Sequence, residues 1–188
     1  MEEKKVLMNY HDITKDDMLN GDGLRVVLWL AGCTHHCLDC QNPQTWDVAG
    51  GVPFDNEAKK ELFSALDHDY ISGITFSGGD PLHPFNREEV AELAKEFKEK
   101  FPNKTAWLYT GFLWEEIKDK VDLSNIDILV DGEFKKELND NNLKWIGSSN
   151  QRIIDVQKSL STGDVVLHCK LGERVVEEQP DFRQCESC

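Results

Sequence analysis

GLRVVLWLAGCTHHCLDC, from Gly23 to Cys40, is the stretch that decides the fold. Gly23 to Ala31 is rich in β-branched and apolar side chains and reads as a buried strand. The strand runs directly into Cys33, Cys37 and Cys40, spaced C-x3-C-x2-C. From Cys33 to Gly51 the chain reads as a loop, punctuated by Asn42, Pro43 and the Gly50-Gly51 pair.

Downstream, strands alternate with helices. Asp55 or Asn56 can cap a helix running to about Leu66, with Leu62, Phe63 and Leu66 on one face. Ile71 to Ser77 is a second strand and ends in Gly-Gly-Asp-Pro. Asn86 and Glu89 have capping-box spacing ahead of Val90, Leu93, Ala94 and Phe97, and that helix stops before Pro102. Thr105 to Thr110 is a third strand, Leu113 to Val121 a short helix, Ile126 to Asp131 a fourth strand and Gln151 to Val156 a fifth. Val165 to Lys170 and Glu173 to Glu177 flank Leu171-Gly172 as a hairpin.

This alternation implies parallel βαβ units with right-handed crossovers. A closed eight-fold barrel typically needs about 250 residues, and the chain has 188. The expected fold is α/β: a single domain forming an open partial (β/α) barrel of about five or six parallel strands. Residues 1–160 would form the barrel and residues 161–188 a C-terminal hairpin and cysteine-containing tail. The cysteine loop and the Gly-Gly-Asp-Pro loop both follow strands, so they should meet at the sheet's carboxyl edge.

The net charge is -14 and the pI about 4.8. Such a surface repels phosphate backbones and anionic lipid, which argues against nucleic acid and membrane as partners. No apolar run approaches the ~20 residues of a membrane span, and the charged start, MEEKK, leads into no apolar leader. A cytoplasmic location is expected. In that reducing setting, clustered cysteines point to metal or redox chemistry more than to disulfides.

Three thiolates close together make a soft-metal site. Four cysteines fully ligate a cubane cluster, so three leave one iron open. The competing reading is a zinc knuckle completed by His35 or His36, although zinc sites usually pair their ligands as C-x2-C. Both histidines are otherwise expected to face solvent. Ser77-Gly78-Gly79-Asp80-Pro81 is the second signal: glycines admit a ligand close to the backbone, and a carboxylate pairs with an ammonium group.

With these two loops the chain resembles radical S-adenosylmethionine (SAM) enzymes, whose defining pair is C-x3-C-x2-C with a Gly-Gly-Asp/Glu segment. More narrowly it resembles the activating proteins of anaerobic (class III) ribonucleotide reductase, over residues from about Met8 to Val156. The resemblance rests on Asn20-Gly-Asp-Gly-Leu-Arg25, Ala31-Gly-Cys33, Cys40-Gln-Asn-Pro-Gln-Thr-Trp46 and Ser77-Gly-Gly-Asp-Pro-Leu82. It continues in Tyr109-Thr-Gly-Phe112, Val130-Asp-Gly132 and Gly147-Ser-Ser-Asn-Gln151.

The resemblance implies a [4Fe–4S] cluster on Cys33, Cys37 and Cys40, with SAM as the second cofactor. Ser77, Gly78, Gly79 and Asp80 would bind the methionine amino group, and Asp39 would lie near the adenine through its backbone. Thr110 and Asp131 would contact the ribose or carboxylate. Relatives often carry lysine where this chain has Glu133; Lys135 or Arg152 is the candidate substitute. The implied partners are the anaerobic ribonucleotide reductase large subunit, which receives a glycyl radical, and a low-potential electron donor of flavodoxin or ferredoxin type.

Plainer roles stand beside these. Asp131 at a strand end is also an ordinary turn or cap residue. Trp46 can cover the cluster loop, and Trp107, Trp114 and Trp145 read as core or partner-face residues. Cys169, Cys185 and Cys188, with His168, form either a second metal site or a tail of free thiols. Two functional alternatives remain: a small-molecule radical enzyme resembling 7-carboxy-7-deazaguanine synthase, and a non-catalytic zinc-binding module.

Overall fold

A computed structural model describes residues 7–168. Seven strands form one sheet: β1 (Asn9–Asp17), β2 (Leu24–Leu30), β3 (Val52–Pro53), β4 (Ile71–Gly78), β5 (Thr105–Tyr109), β6 (Ile128–Asp131) and β7 (Arg152–Asp155). Their order is β3-β1-β2-β4-β5-β6-β7. β2, β4, β5 and β6 are parallel neighbours. The sheet is open and mixed, because β1 runs antiparallel to β2 and β3, and β7 runs antiparallel to β6.

Two expectations change here. Four strands are parallel rather than five or six, and the Gln151–Val156 segment returns antiparallel. Residues 132–151, between β6 and β7, hold only a short 3-10 turn at Lys136–Leu138 and no crossover helix, and a parallel neighbour needs such a crossover. The expected Val165–Lys170/Glu173–Glu177 hairpin, Cys169, Cys185 and Cys188 fall on or extend into residues outside those described; Leu167 makes one antiparallel bridge with Ile154.

The helices are α1 (Asn56–Leu66), α2 (Arg87–Lys100), α3 (Trp114–Ile117) and α4 (Val156–Thr162). Asp55 caps α1 by accepting from the backbone N–H of Glu57 and Ala58. The capping box expected at Asn86 and Glu89 does not form. Asn86 Nδ2 instead donates to Ala31 O at 2.8 Å, and the Glu89 carboxylate accepts from Met8 N at 3.0 Å. Asn86 thus ties α2 to the start of the cysteine loop and Glu89 ties it to the residue before β1, rather than to their own helix. The helix expected over Leu113–Val121 shortens to the single turn of α3.

Period-two alternation divides the sheet into two faces. Val26, Leu28, Ile74, Phe76, Ala106, Leu108 and Leu129 pack against α1, α2 and α3 in the main core. Trp107, Ile128, Val130 and Ile153 belong to a second cluster with Ile146. The four parallel strands follow one another without reversal, so their crossover helices share one face. The second cluster lies on the other face, beside the buried polar side chains of Arg25 and Thr75.

Arg25 is fully buried on β2 and ties the parallel strands together. Its Nε donates to Thr75 Oγ1 at 2.7 Å, and Nη2 donates to the Ile74 and Thr105 carbonyls at 2.6 and 2.7 Å. Nη1 reaches Asp22 O and Thr105 Oγ1, both at 3.0 Å. The Trp107 ring lies 5.4 Å from the guanidinium carbon. Burial lowers the Arg25 pKa to about 10, so the group stays charged at neutral pH. Arg25 therefore accounts for part of the Asn20–Arg25 segment as architecture.

Candidate metal and cofactor site

The loops after β2, β4, β5 and β6 converge at the carboxyl edge of the parallel strands. In the first, Gly32 N donates to Thr45 O at 2.8 Å and Cys33 N to Trp46 O at 3.0 Å, closing the loop at its base. His36 and Asp39 adopt positive φ of 50° and 58°, which curls the chain between the cysteines. Cys33, Cys37 and Cys40 are free and half-buried.

Backbone amides face each sulfur. Burial raises the Cys33 thiol pKa, and the amides of His35 and His36 oppose that rise. Burial likewise raises the Cys37 thiol, opposed by the Phe134 amide. Asn42 N lies 3.4 Å from Cys40 Sγ. Amides directed at thiolate sulfurs stabilise their negative charge and tune an iron–sulfur cluster.

The Gly-Gly-Asp loop is laced to the cysteine loop through its backbone. Gly79 N donates to Leu30 O at 2.8 Å and Asp80 N to Gly32 O at 2.7 Å. Glycine is required at position 79: a Cβ there would sit 2.4 Å from Gly32 O. The buried Asp80 carboxylate accepts from four groups. Leu82 N reaches Oδ1 at 2.8 Å, Thr110 Oγ1 reaches Oδ1 and Oδ2 at 2.9 and 3.0 Å, and Gly111 N reaches Oδ2 at 3.0 Å. His35 Nε2 lies 2.9 Å from Oδ2.

The loop after β6 carries the contacts to Cys37 and His35, and the Gly147–Gln151 segment braces it. Gln151 Nε2 donates to Gly132 O at 3.0 Å, while Asn150 Nδ2 donates to Glu133 O at 2.8 Å. Ser148 Oγ accepts from Lys135 N at 3.1 Å. Asp39 forms an ion pair with Lys136 across the same junction.

A cavity of about 530 Å³ opens among these loops, within the ~300–1,000 Å³ typical of small-molecule sites. Cys33, Cys37, Cys40, Ser77, Gly78, Gly79, Asp80 and Thr110 all line it. Trp46 and Tyr109 also line it, and each carries a buried polar atom, Nε1 and Oη, without a protein partner. Buried polar atoms are ordinarily satisfied, so these two are exceptions at the edge of the site. Burial pushes the Tyr109 hydroxyl well above the ordinary tyrosine range, keeping it a neutral donor.

Asp39 and Asp131 stand outside the lining. Asp131 accepts from Trp114 N at 2.8 Å and from Arg152 Nε at 2.9 Å. Arg152 is in turn held by Glu115, so its guanidinium faces two carboxylates.

Sequence reasoning placed His35 in solvent; the structure corrects this, with its side chain 10% exposed between Asp80 and Glu133. Tyr109 also carried no assigned role; its place at the carboxyl end of β5 was the available signal.

The donor set suits an iron–sulfur cluster better than zinc. Both His35 nitrogens are bonded to carboxylates, leaving no lone pair for a metal. His36 packs on Trp46 with ring centres 4.7 Å apart. Among the described residues, no three His, Cys, Asp or Glu side chains converge on a single-ion site. A tetrahedral ion needs that convergence, whereas a cubane takes its thiolates at separate corners.

The 4Fe-4S single cluster domain family matches residues 19–154. The chain is 45% identical over 146 residues to the anaerobic ribonucleoside-triphosphate reductase-activating protein of Enterobacteria phage T4, covering 78% of this chain and 93% of that protein. The protein of the same name from Escherichia coli is 40% identical over 150 residues, covering 77% of this chain and 96% of its own length. The Haemophilus influenzae counterpart is 39% identical over 150 residues, covering 78% and 97%.

Proposed function

This chain belongs to the family of anaerobic ribonucleoside-triphosphate reductase-activating proteins, and from that premise we propose that it generates a glycyl radical on the reductase large subunit, using a [4Fe–4S] cluster and SAM. The supporting observation is the cysteine loop, where three thiols each receive backbone amides beside a cavity that Gly78, Gly79 and Asp80 also line.

In this reading Cys33, Cys37 and Cys40 would hold the cluster, one thiolate fewer than a fully ligated cubane takes. When bound, the cluster supplies the electron that opens the sulfonium C–S bond of SAM. The amides of His35, His36, Phe134 and Asn42 spread the thiolate charge. Gly78 and Gly79 admit the methionine moiety to the backbone beside Ser77, and Asp80 marks the ammonium end.

Thr110 acts chiefly by fixing Asp80. Asp131 orients the β6 loop through Arg152 and α3, and Asp39 does the same from the cysteine loop through Lys136. The sequential order of the parallel strands suits curvature into a partial barrel around the cofactor. An inserted glycine-bearing segment of the reductase closes the site, excluding water and stray C–H bonds. The electron comes from a low-potential cytoplasmic donor of flavodoxin or ferredoxin type, and no nucleic acid takes part.

Anaerobic reconstitution tests this reading. It should give a brown protein with about four irons per chain. After reduction, the protein should convert SAM to methionine and 5'-deoxyadenosine. Cys37→Ala should abolish cleavage while leaving the circular dichroism spectrum unchanged. Retained cleavage would refute the ligand assignment, and a colourless zinc protein would refute the radical reading.

A further inference from the structure

His35 sits inside the cysteine loop, two residues from Cys33 and two from Cys37, yet its side chain bonds elsewhere. Nε2 lies 2.9 Å from Asp80 Oδ2 on the loop after β4, and Nδ1 lies 2.9 Å from Glu133 Oε1 on the loop after β6. The ring packs edge-on against Phe112, on the loop after β5, with centres 4.6 Å apart. Gly111 makes room for it: a Cβ there would fall 2.4 Å from His35 Cδ2. One imidazole therefore touches all three other loops at the carboxyl edge.

The Asp80 carboxylate has little freedom of its own. Leu82 N, Thr110 Oγ1 and Gly111 N fix it from the sheet side, and His35 is its bond to the cysteine loop. His35 thus adds a side-chain tie to the backbone bonds Gly79 N–Leu30 O and Asp80 N–Gly32 O, and helps set the distance from the cysteine sulfurs to the Gly-Gly-Asp edge.

We propose that His35 is a positioning residue for SAM, locking the Gly-Gly-Asp loop in register with the cluster cysteines. This rests on the function proposed above. A group that orients a metal site without ligating it typically contributes about 10- to 100-fold in affinity or activity. A displacement near 1 Å is enough to lose such a factor.

The test compares reconstituted wild type, His35→Ala and His35→Gln. Three quantities are read: iron per chain, the thermal midpoint of the apoprotein, and SAM affinity from its perturbation of the reduced cluster's electron paramagnetic resonance spectrum. Glutamine places an amide near the former Nε2 and keeps the bond to Asp80. His35→Ala should retain its iron and bind SAM about 10- to 100-fold more weakly, and His35→Gln should recover most of that loss. Unchanged affinity in His35→Ala overturns the inference. So does iron loss in proportion to affinity, which would make His35 a support for the cysteine ligands alone. A glutamine variant as weak as alanine overturns it too. A wild type that shows no SAM-dependent change refutes the underlying function instead.

Discussion

Asp131 and Arg152 face each other across the β6–β7 ladder, with Arg152 Nε donating to Asp131 Oδ1 at 2.9 Å. The aspartate lies fully buried at the end of β6 and also receives Trp114 N from the start of α3. One carboxylate thereby joins a parallel strand, its antiparallel neighbour and the loop that follows Thr110.

Asp131→Ala leaves Trp114 N and half of the Arg152 fork without an acceptor. Breaking a fully buried ion pair costs ~3–5 kcal/mol. Arg152 is 27% exposed and keeps Glu115, so the expected loss is smaller, about 2–3 kcal/mol. Urea denaturation of the apoprotein measures it; a loss under ~0.5 kcal/mol, the scale of an ordinary surface substitution, contradicts the role assigned here.

Glu115 makes the same cluster sensitive to acid. The hydrogen bond from Arg152 holds its carboxyl below the ordinary value of 4.5. A carboxylate whose folded pKa is depressed adds stability above its unfolded pKa and loses it as pH falls through the folded one. Glu115→Gln should therefore unfold at lower urea than wild type at neutral pH. The difference should close well below pH 4.5. A constant difference across that range contradicts the ion-pair assignment.

Arg25, on β2, makes its contacts with neutral acceptors on β4 and β5 and with the Asp22 carbonyl. Lysine offers three donors from one point and no planar fork, so Arg25→Lys leaves buried carbonyls unmet. A loss of about 2 kcal/mol is expected for Arg25→Lys and about 3 kcal/mol for Arg25→Ala, read from chemical denaturation. Retained stability in both variants would remove Arg25 from the architecture.

Gly79→Ala places a methyl group against Gly32 O, and two laced backbones have little room to part. Forced overpacking of this kind costs about 1–3 kcal/mol. In a chain of 188 residues each kcal/mol moves the thermal midpoint by roughly 2–4 °C. The apoprotein should melt ~4–8 °C lower for a loss of about 2 kcal/mol. An unchanged midpoint would mean that the two loops are not laced as described.

The sequence carried β2, the cysteine loop, α1 with its Asp55 cap and β4 because each has a strong local signal. β1 went unread: Asn-Tyr-His-Asp-Ile-Thr-Lys-Asp-Asp has few apolar residues, and its pairing with β2 supplies what its composition does not. Asn86 and Glu89 had the spacing of a local cap, but tertiary acceptors and donors took both side chains. Of the site, the three cysteines and the Gly-Gly-Asp loop were legible as motifs. His35 was not, because its burial depends on Asp80 and Glu133, which lie 45 and 98 residues away.

The central claim is that this protein moves a radical to its partner from a SAM-loaded cluster. The direct measurement mixes the anaerobically reconstituted, reduced protein with SAM and the reductase large subunit and records the electron paramagnetic resonance spectrum. The account predicts a glycine-centred doublet that requires SAM and disappears with Cys37→Ala. A fully iron-loaded protein that leaves the reductase without that doublet contradicts it.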